Sequence, residues 1–311
     1  MSGPRVTIAI PTYNRAEGYL QAALESALAQ DVDDLEIVVS DNASTDRTAE
    51  LVADLADQRV RYMRQPTNLG VNGNFNACVA TATGRFLVLL HDDDLLDPDF
   101  VASCKRSLQE SPLARQAGMV RTGSRVIDAN GRTIANRPNR SAATGVTDLL
   151  FEWFDGLAPM YFCNTLYRTD ALRAAGGFTS RRALYIDVAA VLRIAAIHPT
   201  VNVPEEKASF RRHDGSNGSV QSIAAWCDDS QFLIDLACEL VPDRAEEISD
   251  RGRYFFSANN YGRAARIRDP GQRLRAYWTV YRHFGFRLSP ARFLAARRWR
   301  RLRSQPRPTS S

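Results

Sequence analysis

The sequence predicts an α/β protein: a Rossmann-like mixed sheet flanked by helices, followed by a helical C-terminal region. Three observations carry this. The first hundred residues alternate short apolar runs with amphipathic segments, the pattern of β-α-β units around a largely parallel sheet. Asn130-Gly131 then separates the extended-looking runs 119–128 and 132–135, a hairpin signal that makes the sheet mixed. From Val220 onward only helical patterning remains, broken at Pro242, Pro270 and Pro290.

Taken in order, Arg5 to Ile10 reads as a strand. Asn14 stands as an N-cap with Glu17 three residues on, and Leu20, Leu24 and Leu28 carry a helix to about Gln30. Leu35 to Ser40 is strand-like, Ser44 to Asp46 offer caps, and Leu51, Val52 and Leu55 mark the buried face of a second helix. Val60 to Met63 and Phe86 to Leu90 supply further strands, with a helix between Gly73 and Ala82. Pro98 opens a helix over Phe100 to Ser111, with Asp97 as its cap. Met160 to Tyr167 is strand-like, and a helix crosses Leu184 to Ile197. These elements predict one domain over residues 1–219, in two halves at 1–98 and 99–219. A helical region with a basic tail follows at 220–311, and its QPRPTSS end is expected to be disordered.

With 311 residues, 44% of them hydrophobic, the chain can bury one large core or two modest ones. Five cysteines form no CxxC pair and no zinc-type spacing, and an odd number argues against a disulfide framework, so a reducing cytoplasm fits. The N-terminus runs straight into a strand without signal-peptide features, and no stretch approaches the roughly 18 apolar residues of a membrane span. The expectation is a cytoplasmic protein, neither secreted nor integral. Net charge is +5, but residues 287–311 hold eight arginines and no acid, which leaves the other 286 residues at −3. A basic tail on a mildly acidic body speaks against a nucleic-acid partner.

The chemistry concentrates where strands end. FLVLLHDDDLLDPD at 86–99 empties a buried-looking strand into four acids, and hard divalent cations want carboxylate oxygens held in place. Three adjacent carboxylates, Asp92, Asp93 and Asp94, repel one another unless a cation or solvent screens them. IAIPTYNR at 8–15 and EIVVSDNASTD at 36–46 also end strands where α/β sheets bind nucleotides. Taken singly, a plain turn with a helix cap accounts for Pro11 to Asn14, and an Asx turn accounts for Asp41.

Together and in this order, IAIPTYNR, SDNASTDRT, NLGVNGNFN at 68–76 and HDDD at 91–94 resemble the family 2 glycosyltransferases, over roughly residues 5–219. The resemblance implies a GT-A fold, with 1–98 as the nucleotide-binding half and 99–219 as the acceptor half, and an inverting transfer of a sugar from a nucleotide diphosphate to an acceptor hydroxyl. It implies that Pro11, Thr12, Tyr13, Asn14, Asp41, Asn68 and Asp92 line the nucleotide. Asp41 would accept from the N3–H of uracil or thymine, which favours UDP or dTDP donors, and Asp92 would face the ribose. Asp93, Asp94 and His213 would hold Mg2+ or Mn2+; His91 stands where many relatives have an acid. GGFTSRRALYIDVAAVLR at 176–193 is similar to the segment that carries the family's base, placing Asp187 there, with Ile186 in place of the usual glutamate. A helix N-terminal dipole would equally suit an aspartate at 187. FRRHDGSNGS at 210–219 resembles the family's Arg-x-His segment, and Arg211 and Arg212 either cover the diphosphate or stay solvated.

Other classes fit less well. A nicotinamide-dependent oxidoreductase wants GxGxxG after the first strand, where this chain has PTYNRAEG, and a nucleotidyltransferase wants a glycine-rich basic loop there. A sugar-nucleotide binding or scaffold protein that lost its base is the remaining rival, because of Ile186 and His91. The acceptor, saccharide or lipid-linked, has no local signature; cell-surface polysaccharide or glycolipid synthesis is the expected setting. The tail 292–303 mixes arginines with Phe293, Leu294, Trp299 and Leu302, which suits peripheral attachment to an anionic membrane surface at the inner face, or equally a solvated arginine-rich helix or frayed end.

Overall fold

The computed structural model describes residues 5–213 and 221–303, with side chains as far as Arg298. It divides into two compact units, 1–216 and 217–311. The expected boundary at 219–220 and the QPRPTSS end lie outside the described residues.

In the first unit β1 (Val6–Thr12), α1 (Leu20–Leu28), β2 (Leu35–Asp41), α2 (Thr48–Ala53), β3 (Val60–Arg64), α3 (Gly70–Thr81) and β4 (Phe86–Leu89) come first. There follow β5 (Leu95–Leu96), α4 (Phe100–Ser107), α5 (Pro112–Arg115), β6 (Met119–Ile127), β7 (Thr133–Arg137) and α6 (Val146–Phe154). The unit closes with β8 (Thr165–Arg168), α7 (Thr169–Ala174), α8 (Ile186–Ala195) and β9 (Thr200–Arg211). Nine strands form one mixed sheet in the order β3-β2-β1-β4-β8-β6-β9-β5, with β7 paired to β6. β1 and β2 are buried at every position, as strands covered on both faces must be. Residues of α1, α2 and α4 pack in one apolar cluster, those of α3, α6, α7 and α8 in another, giving three layers.

Three local expectations are corrected. α1 begins at Leu20, not after Asn14, whose backbone is left-handed at φ 53° and whose side chain accepts from Thr45 N at 2.8 Å. Asn14 therefore pins the turn after β1 to the turn after β2 rather than capping a helix. Asp97 does not cap α4; its carboxylate pairs with Arg125, and Asp99 occupies the cap position while holding Lys207 Nζ at 2.6 Å. β8 starts at Thr165, later than the predicted run, because Asn164 ties the preceding loop by donating to Thr122 O at 2.6 Å.

The second unit is helical: α9 (Ile223–Leu240), a 3-10 turn at Pro242–Arg244, α10 (Ala245–Ala264), α11 (Pro270–His283) and α12 (Pro290–Arg303). Prolines open α11 and α12, where a missing N–H costs nothing. Asp269 caps α11 by accepting from Gln272 N at 2.6 Å. Phe256, Tyr261, Val280 and Phe284 are buried, Tyr261 donates to Leu288 O at 2.8 Å, and Phe293 packs on the Tyr261 ring at 5.2 Å. Among the described residues no helix is long and apolar enough to cross a membrane.

Candidate active site

Strands β1 to β4 run parallel, and the register sets Thr12 beside Asp41 and Asp41 beside Arg64, so the last residues of three strands stand in a row. The ladder between β1 and β4 ends at Ala9 and Leu89. Pro11, which has no N–H to donate, sits where β1 keeps only β2 as a neighbour. The crevice outside these strand ends, between β1 and β4, is where α/β sheets take ligands.

Asp41 is 1% exposed and its oxygens are occupied: Oδ1 accepts from Ser44 N at 2.9 Å and Oδ2 from the Tyr62 hydroxyl, with Arg64 Nε at 3.9 Å. Burial and this hydrogen bond push the Tyr62 phenol far up, so it stays a donor. Asn68 Oδ1 accepts from Asn42 Nδ2 at 2.9 Å and from Gly70 N at 2.8 Å, fixing the start of α3 against the end of β2. Tyr13 is exposed and Thr12 is buried.

The turn after β4 is built differently. One ligand atom each from His91, Asp93 and Asp94 lie within 4.8 Å of one another. Asp94 Oδ1 accepts from Arg211 N at 2.8 Å, while Asp94 Oδ2 and His91 Nε2 are buried with no partner. Burial and the neighbouring Asp93 charge hold the Asp94 carboxyl well above the usual range. The same two causes push Asp92 up to about 7, against the pull of Thr12, Arg15 and the Tyr13 amide. Burial keeps His91 below its ordinary value, in the neutral form a metal ligand needs. His213 Nε2 lies 2.9 Å from Asp93 Oδ2, so His213 reaches the cluster through Asp93.

Arg211 is the latch beneath this turn. Its guanidinium is buried, donates from Nε to Asp93 O at 2.7 Å and from Nη1 to Asp128 O at 3.2 Å, and lies 4.3 Å over the Tyr19 ring. Tyr19 in turn packs against His213 at 5.1 Å. Arg211 is therefore neither solvated nor free to swing; Arg212 is exposed.

Asp187 lies in the first turn of α8 and accepts from Val188 N at 2.8 Å. Its charge acts on two fully buried groups, Arg121 of β6 and Tyr167 of β8. Arg121 donates from Nη2 to Pro159 O, while its Nε and Nη1 and the Tyr167 hydroxyl have no partner. Burial lowers Arg121 to about 10, opposed by Tyr167, Glu152 and Asp187. The turn leading to α8 is clamped to α3: Asn76 accepts from Phe178 N at 2.9 Å and donates to Phe178 O at 3.0 Å. Gly177, at φ 67°, permits this, since a Cβ there would meet Asn76 Oδ1 at 2.2 Å.

The structure thus brings Pro11, Thr12, Asn14 and Asp41 to one set of strand ends and gathers Asp93, Asp94 and His213 at the next. Sequence reasoning missed His91 as a member of the donor set, although its place in HDDD was the signal. It also missed Arg121 and Tyr167, which read as ordinary strand residues.

A family model described as Glycosyl transferase family 2 matches residues 7–176. The chondroitin synthase of Pasteurella multocida (strain Pm70) is 40% identical over 139 residues, 44% of this chain but 14% of that protein, so the chain spans a small part of that relative's length. Among solved structures, S. aureus TarS 1–349 in complex with UDP-GlcNAc superposes with a TM-score of 0.65 at 15% identity, over 94% of this chain and 83% of that one. The mannosyltransferase PcManGT from Pyrobaculum calidifontis, in complex with GDP-Man and Mn2+, superposes with a TM-score of 0.56 at 19% identity, over 97% and 88%. Both likenesses describe the GT-A fold.

Proposed function

Since the chain belongs to glycosyl transferase family 2, we propose that it is an inverting, metal-dependent enzyme that moves a sugar from a nucleoside diphosphate to an acceptor hydroxyl. The observation that carries this reading is the incomplete donor set of the 91–94 turn. A buried carboxylate oxygen and a buried imidazole nitrogen lack partners in the same cluster, an arrangement that a divalent cation completes. Asp93, Asp94 and His91 would hold the ion, with His213 orienting Asp93. A nitrogen in the set favours Mn2+ over Mg2+, which prefers oxygen and keeps its waters. When bound, the cation supplies positive charge to the departing nucleoside diphosphate.

The remaining work falls to the protein. Thr12, Asp41 and Asp92 bind the nucleoside along the crevice, with Tyr13, Asn14 and Asn68 shaping its walls. Asp41 accepts about two hydrogen bonds from within and retains lone pairs for a pyrimidine N3–H, which favours UDP or dTDP. Asp187 takes the acceptor proton as the acceptor oxygen attacks the anomeric carbon from the side opposite the leaving group. The buried Arg121 guanidinium lies near enough to feel the Asp187 charge. The acceptor is a saccharide or a lipid-linked saccharide, in polysaccharide or glycolipid synthesis at the cytoplasmic face of a membrane. This part rests on the likeness to a chondroitin synthase.

A thermal-shift screen of UDP, dTDP and GDP sugars, with and without Mn2+, tests the reading. Mn2+-dependent stabilisation by a pyrimidine donor supports it. Stabilisation by GDP sugars alone removes the Asp41 assignment, and donor binding indifferent to chelation removes the metal.

A further inference from the structure

One face of the helical unit is apolar and exposed. Along α11, Leu274, Trp278 and Tyr281 follow the i, i+4, i+7 spacing of a single helix side. Leu274 is 70% exposed and Trp278 58%, while Ala276, Tyr277 and Val280 on the other side are buried. The helix is therefore apolar on two sides, and the folded unit uses one. Phe286, 54% exposed, extends the outer stripe from the turn that follows. The Trp278, Tyr281 and Phe286 rings lie 4.9 to 6.3 Å apart and form one patch. Gly285 and Phe286 are both left-handed, at φ 63° and 62°, a backbone that a bulky side chain rarely adopts. That backbone holds the Phe286 ring outside rather than in the core.

The charge around the patch has one sign. Residues 270–298 contain seven arginines, one histidine and no acid. Arg275 and Arg282 flank the stripe on one side of α11, and Arg287, Arg292 and Arg298 are exposed nearby in the chain, Arg287 also reaching Asp250 at 2.6 Å. Leu294 on α12 adds a further exposed aliphatic group.

We propose that the outer face of α11, with Phe286 and the arginines beside it, docks on an anionic lipid surface, the leucines and rings entering the headgroup boundary and the guanidinium groups meeting lipid phosphates. The combination fits a bilayer better than its rivals. A second copy of the chain would bring seven arginines against seven, which repel. A single-stranded nucleic acid would use the rings and the arginines but gains nothing from Leu274 and Leu294. An interfacial helix uses all of them: aromatic residues at the headgroup level, aliphatic side chains below it and arginines toward anionic lipid. The surface is distinct from the tail at 299–303, whose side chains lie outside the described set, and it stands whether or not the transfer reading does.

Co-sedimentation of the full chain with vesicles of phosphatidylcholine alone, or mixed with phosphatidylglycerol, tests the proposal. Binding is expected to the mixed vesicles and to fall with salt. The triple variant Leu274→Ser, Trp278→Ser, Phe286→Ser should weaken it about tenfold or more. Arg275→Gln with Arg282→Gln should remove most of the preference for the anionic lipid. All these residues are exposed, so circular dichroism and melting should match the parent and keep a loss interpretable. Replacing Arg300, Arg301, Arg303 and Arg307 with Gln should weaken binding less than the α11 triple variant. Vesicle binding that survives the triple variant overturns the proposal. So does a patch-dependent affinity for a single-stranded oligonucleotide without vesicle binding, or a patch-dependent dimer in sedimentation velocity.

Discussion

Asp41 and Asp94 are both 1% exposed, both stand at or just past the end of a parallel strand, and both strands flank β1, yet they are finished in opposite ways. Asp41 is surrounded by donors: the Ser44 amide, the Tyr62 hydroxyl and, farther off, Arg64. Asp94 has the Arg211 amide on Oδ1, no hydrogen bond on Oδ2, the Cys163 thiol close by, and two carboxylates as neighbours. Burial alone therefore does not tell the two apart. What does is how many of the oxygens the protein itself engages: both at Asp41, which keeps spare lone pairs, and one at Asp94.

The largest effect should come from emptying the incomplete side. Asp93→Ala or Asp94→Asn should lower turnover by on the order of a thousandfold and abolish the rise in melting temperature on adding Mn2+. Without Mn2+, Asp94→Asn should melt no lower than the parent, since the amide removes a like-charge contact. A variant at Asp94 that still answers to Mn2+ breaks the comparison. Asp187 is an intermediate case, a part-exposed carboxylate with a buried guanidinium behind it. Asp187→Asn should cost ~10²- to 10⁴-fold in transfer rate and leave donor affinity nearly unchanged, read by separating kcat from donor Kd.

Smaller effects belong to the finished side. Asp41→Asn should destabilise the fold by about 1–3 kcal/mol in urea unfolding, because Tyr62 and Ser44 lose a charged acceptor, yet the Mn2+ shift should persist. A lost Mn2+ response would mean that the two sites are one. Glu36, on the same strand β2, gives the mildest test. Burial raises its carboxyl, but the Thr7 hydroxyl, the Thr83 amide and Arg61 outweigh burial and hold it below 4.5. A carboxyl lowered on folding adds stability above its unfolded value and loses it as pH falls through the folded one. Glu36→Gln should therefore melt below the parent at neutral pH, with the gap closing as pH drops below about 4.5. A gap independent of pH would assign the effect to shape rather than charge.

Much of this was legible in the sequence where the cause is local. β1, β2 and β4 read correctly to within two residues because their side chains are buried on both faces and the runs are mostly apolar. The hairpin at Asn130-Gly131 read correctly because its turn chemistry is contiguous. The start of α1 did not, because Asn14 is held by Thr45, thirty-one residues away. β9 escaped because Pro204, Glu205 and Glu206 interrupt its alternation, and its pairing with β6 shifts register at that point. Within the site, the acids were visible as a run, whereas the unpaired oxygen on Asp94 depends on Arg211, 117 residues on. Arg121 in MVRTGSRVI reads as a solvent-facing strand position, and only the sheet order shows it fully enclosed.

The clamp between Asn76 and Phe178 also bears on transplanting specificity between relatives. It joins α3, which starts beside the end of β2, to the turn that leads into α8, and Gly177 is its seam. A loop exchange confined to residues 179–185 leaves the seam closed and changes only the approach to Asp187. A cut made upstream of Gly177 replaces the glycine that leaves room for Asn76, so a grafted loop with a side chain there would arrive without the strut that aligns it.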